Sequence, residues 1–202
     1  IEDASHSHGC EYKGEKTGHL GDIGCFSLQG SKLMTGGEAG IFVTDHMKYY
    51  ESSIMLGHYE KIPKLSVKYE KYKANENIPF MNFGYKYRIH PLAAALSLIE
   101  LKYIDKRNHL QMKNCNYINR GLDNIEGFDG AYVAPYVTKL AWLNYLIQFS
   151  AEHFRGIPRE KIIKALQAEG VEASPGRAGY IPLVRQPLLN ERENSPVKAI
   201  WY

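Results

Sequence analysis

The chain has 202 residues, with 25 Lys and Arg against 22 Asp and Glu, for a formal net charge of +3. At 44% hydrophobic and 23% charged it has ordinary globular composition, which excludes collagen-like, coiled-coil and disordered classes. The charge excess is far below that of a dedicated nucleic-acid binder, and no apolar run approaches the roughly 20 residues that cross a bilayer.

Nine of the 18 glycines fall before Phe42, where short apolar runs alternate with turn signals. Ile23–Leu28 and Ala39–Val43 read as strands set between Leu20-Gly21-Asp22 and Gly36-Gly37. A helix is expected over Asp45–Gly57, with Asp45 as its N-cap. Tyr59–Asn77, polar and rich in Lys and Tyr, reads as a surface excursion. Leu92, Ala95, Leu96, Ile99 and Tyr103 recur at helical spacing. They predict a helix from Pro91 to about Asp105, and a second follows from about Lys106 to Leu122. Beyond Gly127, Val133-Ala134-Pro135 and Trp142–Phe149 read as strands. Pro158–Glu169 reads as a helix closed by Gly170 at its C′ position. The expected fold class is α/β, with residues 1–125 as the later part of a large domain and 126–202 as a small, incomplete α+β domain. The chain opens on Ile1 and stops on Ala199-Ile200-Trp201-Tyr202, and is read as an internal piece of a longer protein.

Cys10, Cys25 and Cys115 are an odd, sparse set. They read as buried or free thiols in a reducing compartment, so a cytoplasmic location is expected.

The first 45 residues carry the chemistry. Lys32 lies among small neutral residues, with no acidic residue nearer in sequence than Glu38. A lysine that sheds its proton is the usual partner of a carbonyl in imine formation. Asp3 ends an expected buried strand, where a carboxylate needs a cationic or hydrogen-bonding partner such as a protonated heterocycle nitrogen. Ser27 and the loop after it offer a hydroxyl and backbone N–H groups suited to a phosphate. Together these residue types describe a pyridoxal phosphate pocket, while on spacing alone Lys32 also reads as a surface lysine in a glycine-rich loop and Asp3 as a helix N-cap.

Glu2-Asp3-Ala4-Ser5-His6, then Gly21-Asp22-x-x-x-Phe26-Ser27, then Lys32 ahead of Gly37-Glu38-Ala39-Gly40, resembles the signature of the DegT/DnrJ-type aminotransferases. The likeness continues through Phe83-Gly84-Tyr85-Lys86-Tyr87-Arg88, Trp142–Tyr145, and Tyr180-x-Pro182-Leu183 with Gln186-Pro187. It implies the pyridoxal-phosphate transferase fold type I and amino transfer from glutamate or glutamine to a keto sugar or keto cyclitol. It also implies a homodimer with shared active sites, while charge and hydropathy leave neither a nucleic acid nor a membrane expected as partner.

By this resemblance Lys32 forms a Schiff base with the cofactor and then moves the proton. Asp3 pairs with the pyridine nitrogen, His6 lies near the phenolic oxygen, and Ser27 holds the phosphate. Tyr180 and Gln29 are implied substrate contacts. Lys86 departs from the family pattern Gly-x-Asn-x-Arg, whose asparagine reaches the neighbouring subunit's phosphate. A lysine there is expected to keep the contact as a point charge. Ala39 departs from a usual glycine, which is tolerable if its φ is negative. Lysine rather than histidine at position 32 argues against the family's dehydrating branch.

Other readings are weaker. His6, His8, Cys10, Asp22 and Cys25 do not match paired zinc spacings, so no metal is expected. His8 and His19 read as loop polarity. Cys25 beside Phe26 reads as a buried thiol rather than a nucleophile. Lys64–Lys73 reads as a solvated face rather than a nucleic-acid contact. The alternative from another class is a catalytically silent protein that keeps the fold and binds a ligand or regulates a partner.

Overall fold

A computed structural model describes residues 1–57, 85–175, 182 and 185. The surface excursion Tyr59–Asn77, the basic stretch Lys64–Lys73, Phe83-Gly84 and Tyr180 lie outside the described residues. The chain forms two compact units, residues 1–124 with 129–147, and residues 125–128 with 148–202.

In the first unit, β1 (Glu2–Asp3) is followed by a hairpin of β2 (Glu11–Tyr12) and β3 (Glu15–Lys16). Lys13 (φ 52°) and Gly14 (φ 86°) form its two-residue turn, with both backbones left-handed as the twist of a tight hairpin requires. The expected central strands are present as β4 (Gly24–Ser27) and β5 (Gly40–Val43). β1 runs parallel to β4, with Asp3 opposite Cys25, and β5 runs antiparallel to β4, with Gly40 opposite Ser27. Past β4, Leu28 donates its N–H to Ala39 and accepts from Gly36, so the loop carrying Lys32 doubles back on the strand.

Helix α1 is Met47–Gly57. Asp45 does not cap it: its carboxylate pairs with His19 Nδ1 at 2.8 Å. Thr44 Oγ1 instead accepts from the His46 N–H and donates to the Asp22 carbonyl. Helix α2 is Pro91–Leu122, a single run of 32 residues rather than the two helices expected. No Gly or Pro interrupts it between Pro91 and Gly121, so nothing breaks its hydrogen-bond ladder. His90 caps it through Nδ1, which accepts from the Leu92 N–H, and Pro91 occupies the first turn as expected. The core forms where α2 meets the loop after β4: Leu28, Met34 and Ile104 are buried, with Leu33, Ala39 and Ile41 against them. Among the described residues no helix is long and apolar enough to cross a membrane.

Later in the chain lie β6 (Phe128–Asp129), β7 (Val137–Lys139) and β8 (Gln148–Phe149). Val133–Pro135 is not a strand: Pro135 has no N–H to give a ladder, and the Val137 N–H turns back onto the Ala134 carbonyl. The expected strand Trp142–Phe149 shrinks to Gln148–Phe149, paired with β6. Upstream of it, Trp142 packs on Tyr145, whose hydroxyl bonds the Asn119 side chain. β7 joins β2 as a third strand of the hairpin sheet.

The second unit gathers the rings of Phe128, Phe149 and Phe154. It ends in α3 (Arg159–Ala168). Gly170, at φ 84°, donates to Gln167, and Val171 donates to Leu166. These are the two bonds of a Schellman stop, which places Gly170 at C′ as expected.

Candidate functional site

Asp3 is the last residue of β1, and the chain turns sharply there. The Ser5 N–H donates to Asp3 Oδ1 at 3.0 Å, and the Ser5 hydroxyl donates to the same oxygen at 2.5 Å. The carboxylate is exposed, not buried as the sequence suggested, because the strand ends at the sheet's edge. These Ser5 bonds, and then the positive charge of His6 and Lys32, hold the Asp3 carboxyl below its ordinary pKa of 3.8. It is therefore ionised at neutral pH.

The turn after Asp3 presents His6, and the loop after β4 presents Lys32. Lys32 Nζ and His6 Nε2 are 2.5 Å apart. The two nitrogens are within hydrogen-bond distance, so the loop after β4 and the turn after β1 meet at this pair. Lys32 is thus not among neutral groups only, as its sequence neighbours imply. Folding brings the Asp3 carboxylate and the His6 ring into its surroundings.

Ser27 closes β4 and is half-buried. Its Oγ accepts weakly from the Gln29 N–H at 3.4 Å. Gln29 Oε1 accepts from both the N–H and the hydroxyl of Ser31, and the Gln29 carbonyl accepts from the Lys32 N–H. Gln29 thereby shapes the turn that aims Lys32. Ala39 does not have a left-handed φ, so its departure from glycine costs no strain. Lys86 lies on a separate segment, the approach to α2, with a left-handed backbone at φ 56°. The structure therefore brings together Asp3, His6 and Lys32, and sets Ser27 and Gln29 on the same strand and loop.

Sequence reasoning passed over Asn108 and read His8 as loop polarity. His8 is only 3% exposed, and its Nε2 lies 2.8 Å from the Ser27 carbonyl. Asn108 is fully buried on α2 and donates from Nδ2 to the His8 carbonyl at 2.8 Å. The available signal was Gly9, whose positive φ of 76° marks a turn pressed against another element. Among the described residues no group of three or more His, Cys, Asp or Glu side chains is placed to hold a metal.

The donor set fits pyridoxal phosphate: an ionised carboxylate for a protonated ring nitrogen, a primary amine for the aldehyde, and a strand-end hydroxyl for the phosphate.

The profile of the DegT/DnrJ/EryC1/StrS aminotransferase family matches residues 1–200. The chain belongs to this family. A Micromonospora echinospora relative, provisionally named an L-glutamine:3-amino-2,3-dideoxy-scyllo-inosose aminotransferase, is 30% identical over 190 residues. That match covers 94% of this chain and 43% of the relative, so the chain spans less than half of that protein's length. The L-glutamine:2-deoxy-scyllo-inosose aminotransferase of Streptoalloteichus tenebrarius is 29% identical, over 91% of this chain and 42% of its own. Among solved structures, AtS13 from Actinomadura melliaura superposes with a TM-score of 0.70 at 18% identity, over 100% of this chain and 50% of that one. For this member of the DegT/DnrJ/EryC1/StrS family, that superposition speaks to the fold.

Proposed function

We propose that the whole protein is a pyridoxal-phosphate-dependent aminotransferase. It moves an amino group from glutamine or glutamate to a keto cyclitol or keto sugar. The observation that carries this is the cluster of ionised Asp3, His6 and Lys32 at the head of one sheet, in a chain of this family. The names of the two glutamine-dependent cyclitol aminotransferases support the donor and acceptor classes.

When bound, the cofactor supplies an electron-withdrawing ring that stabilises negative charge at the substrate carbon. The residues of this chain do the rest. Asp3 keeps a proton on the ring nitrogen by presenting a carboxylate that Ser5 holds ionised. Lys32 Nζ would anchor the cofactor and hold the proton taken from the substrate, and His6 Nε2, 2.5 Å away, would exchange that proton with Nζ. The Ser27 hydroxyl binds the phosphate. Lys86 reaches the phosphate of a second subunit as a point charge, which makes the working unit a homodimer with shared sites. Gln29 and Tyr180 contact the substrate. Residues 1–125 belong to the cofactor-binding domain, 126–202 to the small domain, and the enzyme works in the cytoplasm.

The test uses the full-length protein with added pyridoxal phosphate. A visible absorption band, and a cofactor fixed by borohydride to the peptide holding Lys32, are expected. No band and an unmodified Lys32 would sink the reading.

A further inference from the structure

We propose that His8 is a positioning residue for the phosphate end of this site, fixing the Ser27 carbonyl and with it the direction of the Ser27 hydroxyl. The inference rests on the functional reading above, which gives Ser27 its phosphate.

A carbonyl oxygen only accepts, so the 2.8 Å contact with Ser27 requires the proton of His8 to be on Nε2. Burial holds the imidazole pKa below its ordinary 6.5, and the nearby charges of Lys32 and His6 act in the same direction, against the Ser27 bond. His8 is therefore neutral at neutral pH. Its ring packs on Phe26, one residue before Ser27, with centroids 5.3 Å apart. Its backbone carbonyl is held by Asn108 from α2. Gly9 follows with no room for a Cβ, which would lie 2.8 Å from Asn108 Nδ2. His8 is thus tied by its backbone to the long helix and by its side chain to the end of β4.

An apolar side chain would fill this place at lower desolvation cost, because His8 Nδ1 is itself buried and unpartnered among the described residues. What the imidazole adds is one directed bond to Ser27. Ser27 sits where the β4–β5 ladder ends, opposite Gly40, and its peptide with Leu28 is held at two ends, the Leu28 N–H by the Ala39 carbonyl and the Ser27 carbonyl by His8. Without His8 only the Leu28 bond holds that peptide, and the Ser27 Cα that carries the hydroxyl is anchored less firmly.

The test measures binding of pyridoxal phosphate and of pyridoxal, which lacks the phosphate, to the full-length protein by absorbance titration. His8→Leu is expected to weaken pyridoxal phosphate about tenfold, the scale of one directed hydrogen bond, and to leave pyridoxal unchanged. Added to Ser27→Ala it is expected to cause no further loss, because both act through one hydroxyl. His8→Gln, which keeps a donor, is expected to restore most of the affinity. Equal weakening of both ligands, or additive losses with Ser27→Ala, overturns the proposal. Where His8→Leu does not fold, ring-nitrogen chemical shifts of the unaltered protein decide. The neutral Nε2–H form at neutral pH supports the proposal, and the Nδ1–H form or a protonated ring overturns it. If the unaltered protein binds pyridoxal phosphate and His8→Leu binds it equally well, this inference falls alone. If the unaltered protein does not bind it, the functional reading falls too.

Discussion

Lys32 Nζ stands 2.5 Å from His6 Nε2 across 26 residues of sequence, a contact made because β1 and β4 are parallel neighbours. Both side chains leave the same end of that strand pair. The amine thus has a built-in proton partner before any substrate arrives. On the proposed function, Lys32→Ala removes both anchor and proton carrier. Its kcat is expected to fall by at least about a hundredfold, the lower range for a lost general acid–base group. Borohydride should no longer fix the cofactor. His6→Ala keeps the amine, so fixation should persist while kcat falls less than in Lys32→Ala. Equal losses in the two variants would show that His6 does more than exchange a proton with Nζ.

Asp3→Asn conserves shape and removes charge. Without a carboxylate the ring nitrogen is not held protonated, and kcat is expected to drop by about 10²–10³, as for other lost electrostatic partners. Cofactor binding should survive. The sign of the pH effect follows from the lowered pKa. Stability from the Asp3 carboxylate is present above the unfolded value near 3.8 and is lost as pH falls through the lower folded value. Any acid limb in the rate profile above pH 3.8 should therefore belong to another group and persist in Asp3→Asn.

His8 titrates in the opposite sense from a salt-bridged histidine. Its folded pKa lies below 6.5, so the unfolded chain binds more protons as pH falls past that value. Stability from keeping His8 neutral is present above pH 6.5 and declines as pH drops through the folded pKa. His8→Gln cannot titrate. Denaturant midpoints measured from neutral pH downward should fall less steeply for this variant below pH 6.5. Parallel slopes would mean that His8 is not neutral in the folded protein.

The strands around Lys32 were legible because glycine-rich turns bracket short apolar runs, and Pro91 and Gly170 marked helix ends through backbone chemistry that holds in any context. The closeness of Asp3, His6 and Lys32 was legible only by resemblance, since spacing alone does not say which strands are neighbours. Long-range pairing was hidden for the same reason. β7 lies against β2, with Gly14 donating to Thr138 across 124 residues, and no local pattern encodes that partner. His8 was misread as loop polarity because its burial comes from α2, about 100 residues away, through Asn108. The continuity of α2 was missed because the apolar spacing was followed only to Tyr103, whereas no Gly or Pro breaks the helix before Gly121.

Gly9→Ala tests the seam between the site turn and α2. The backbone at φ 76° is left-handed, which costs a residue with a Cβ about 1–2 kcal/mol. The new methyl would also press on Asn108 Nδ2. A fall in stability of at least about 1 kcal/mol is expected by denaturant titration. Because the push is transmitted to His8, weaker binding of pyridoxal phosphate should accompany it. An unchanged midpoint would show that the turn relaxes freely.

Leu28→Ala probes how packing holds the chemistry. Leu28 is fully buried against Met34 and Ile104, directly after Ser27 and four residues before Lys32. Its backbone receives Gly36 and donates to Ala39, so it pins both arms of the loop. Truncation is expected to cost about 2–5 kcal/mol, the range for a buried leucine. The cavity would open beneath the loop rather than beneath β1. Lys32 should therefore lose its register with His6 while Asp3 stays in place. In the folded fraction the cofactor should still bind, but borohydride should fix it to Lys32 more slowly. Fixation at the original rate despite the lower stability would mean that the loop is held by Gln29 and Ser31 alone.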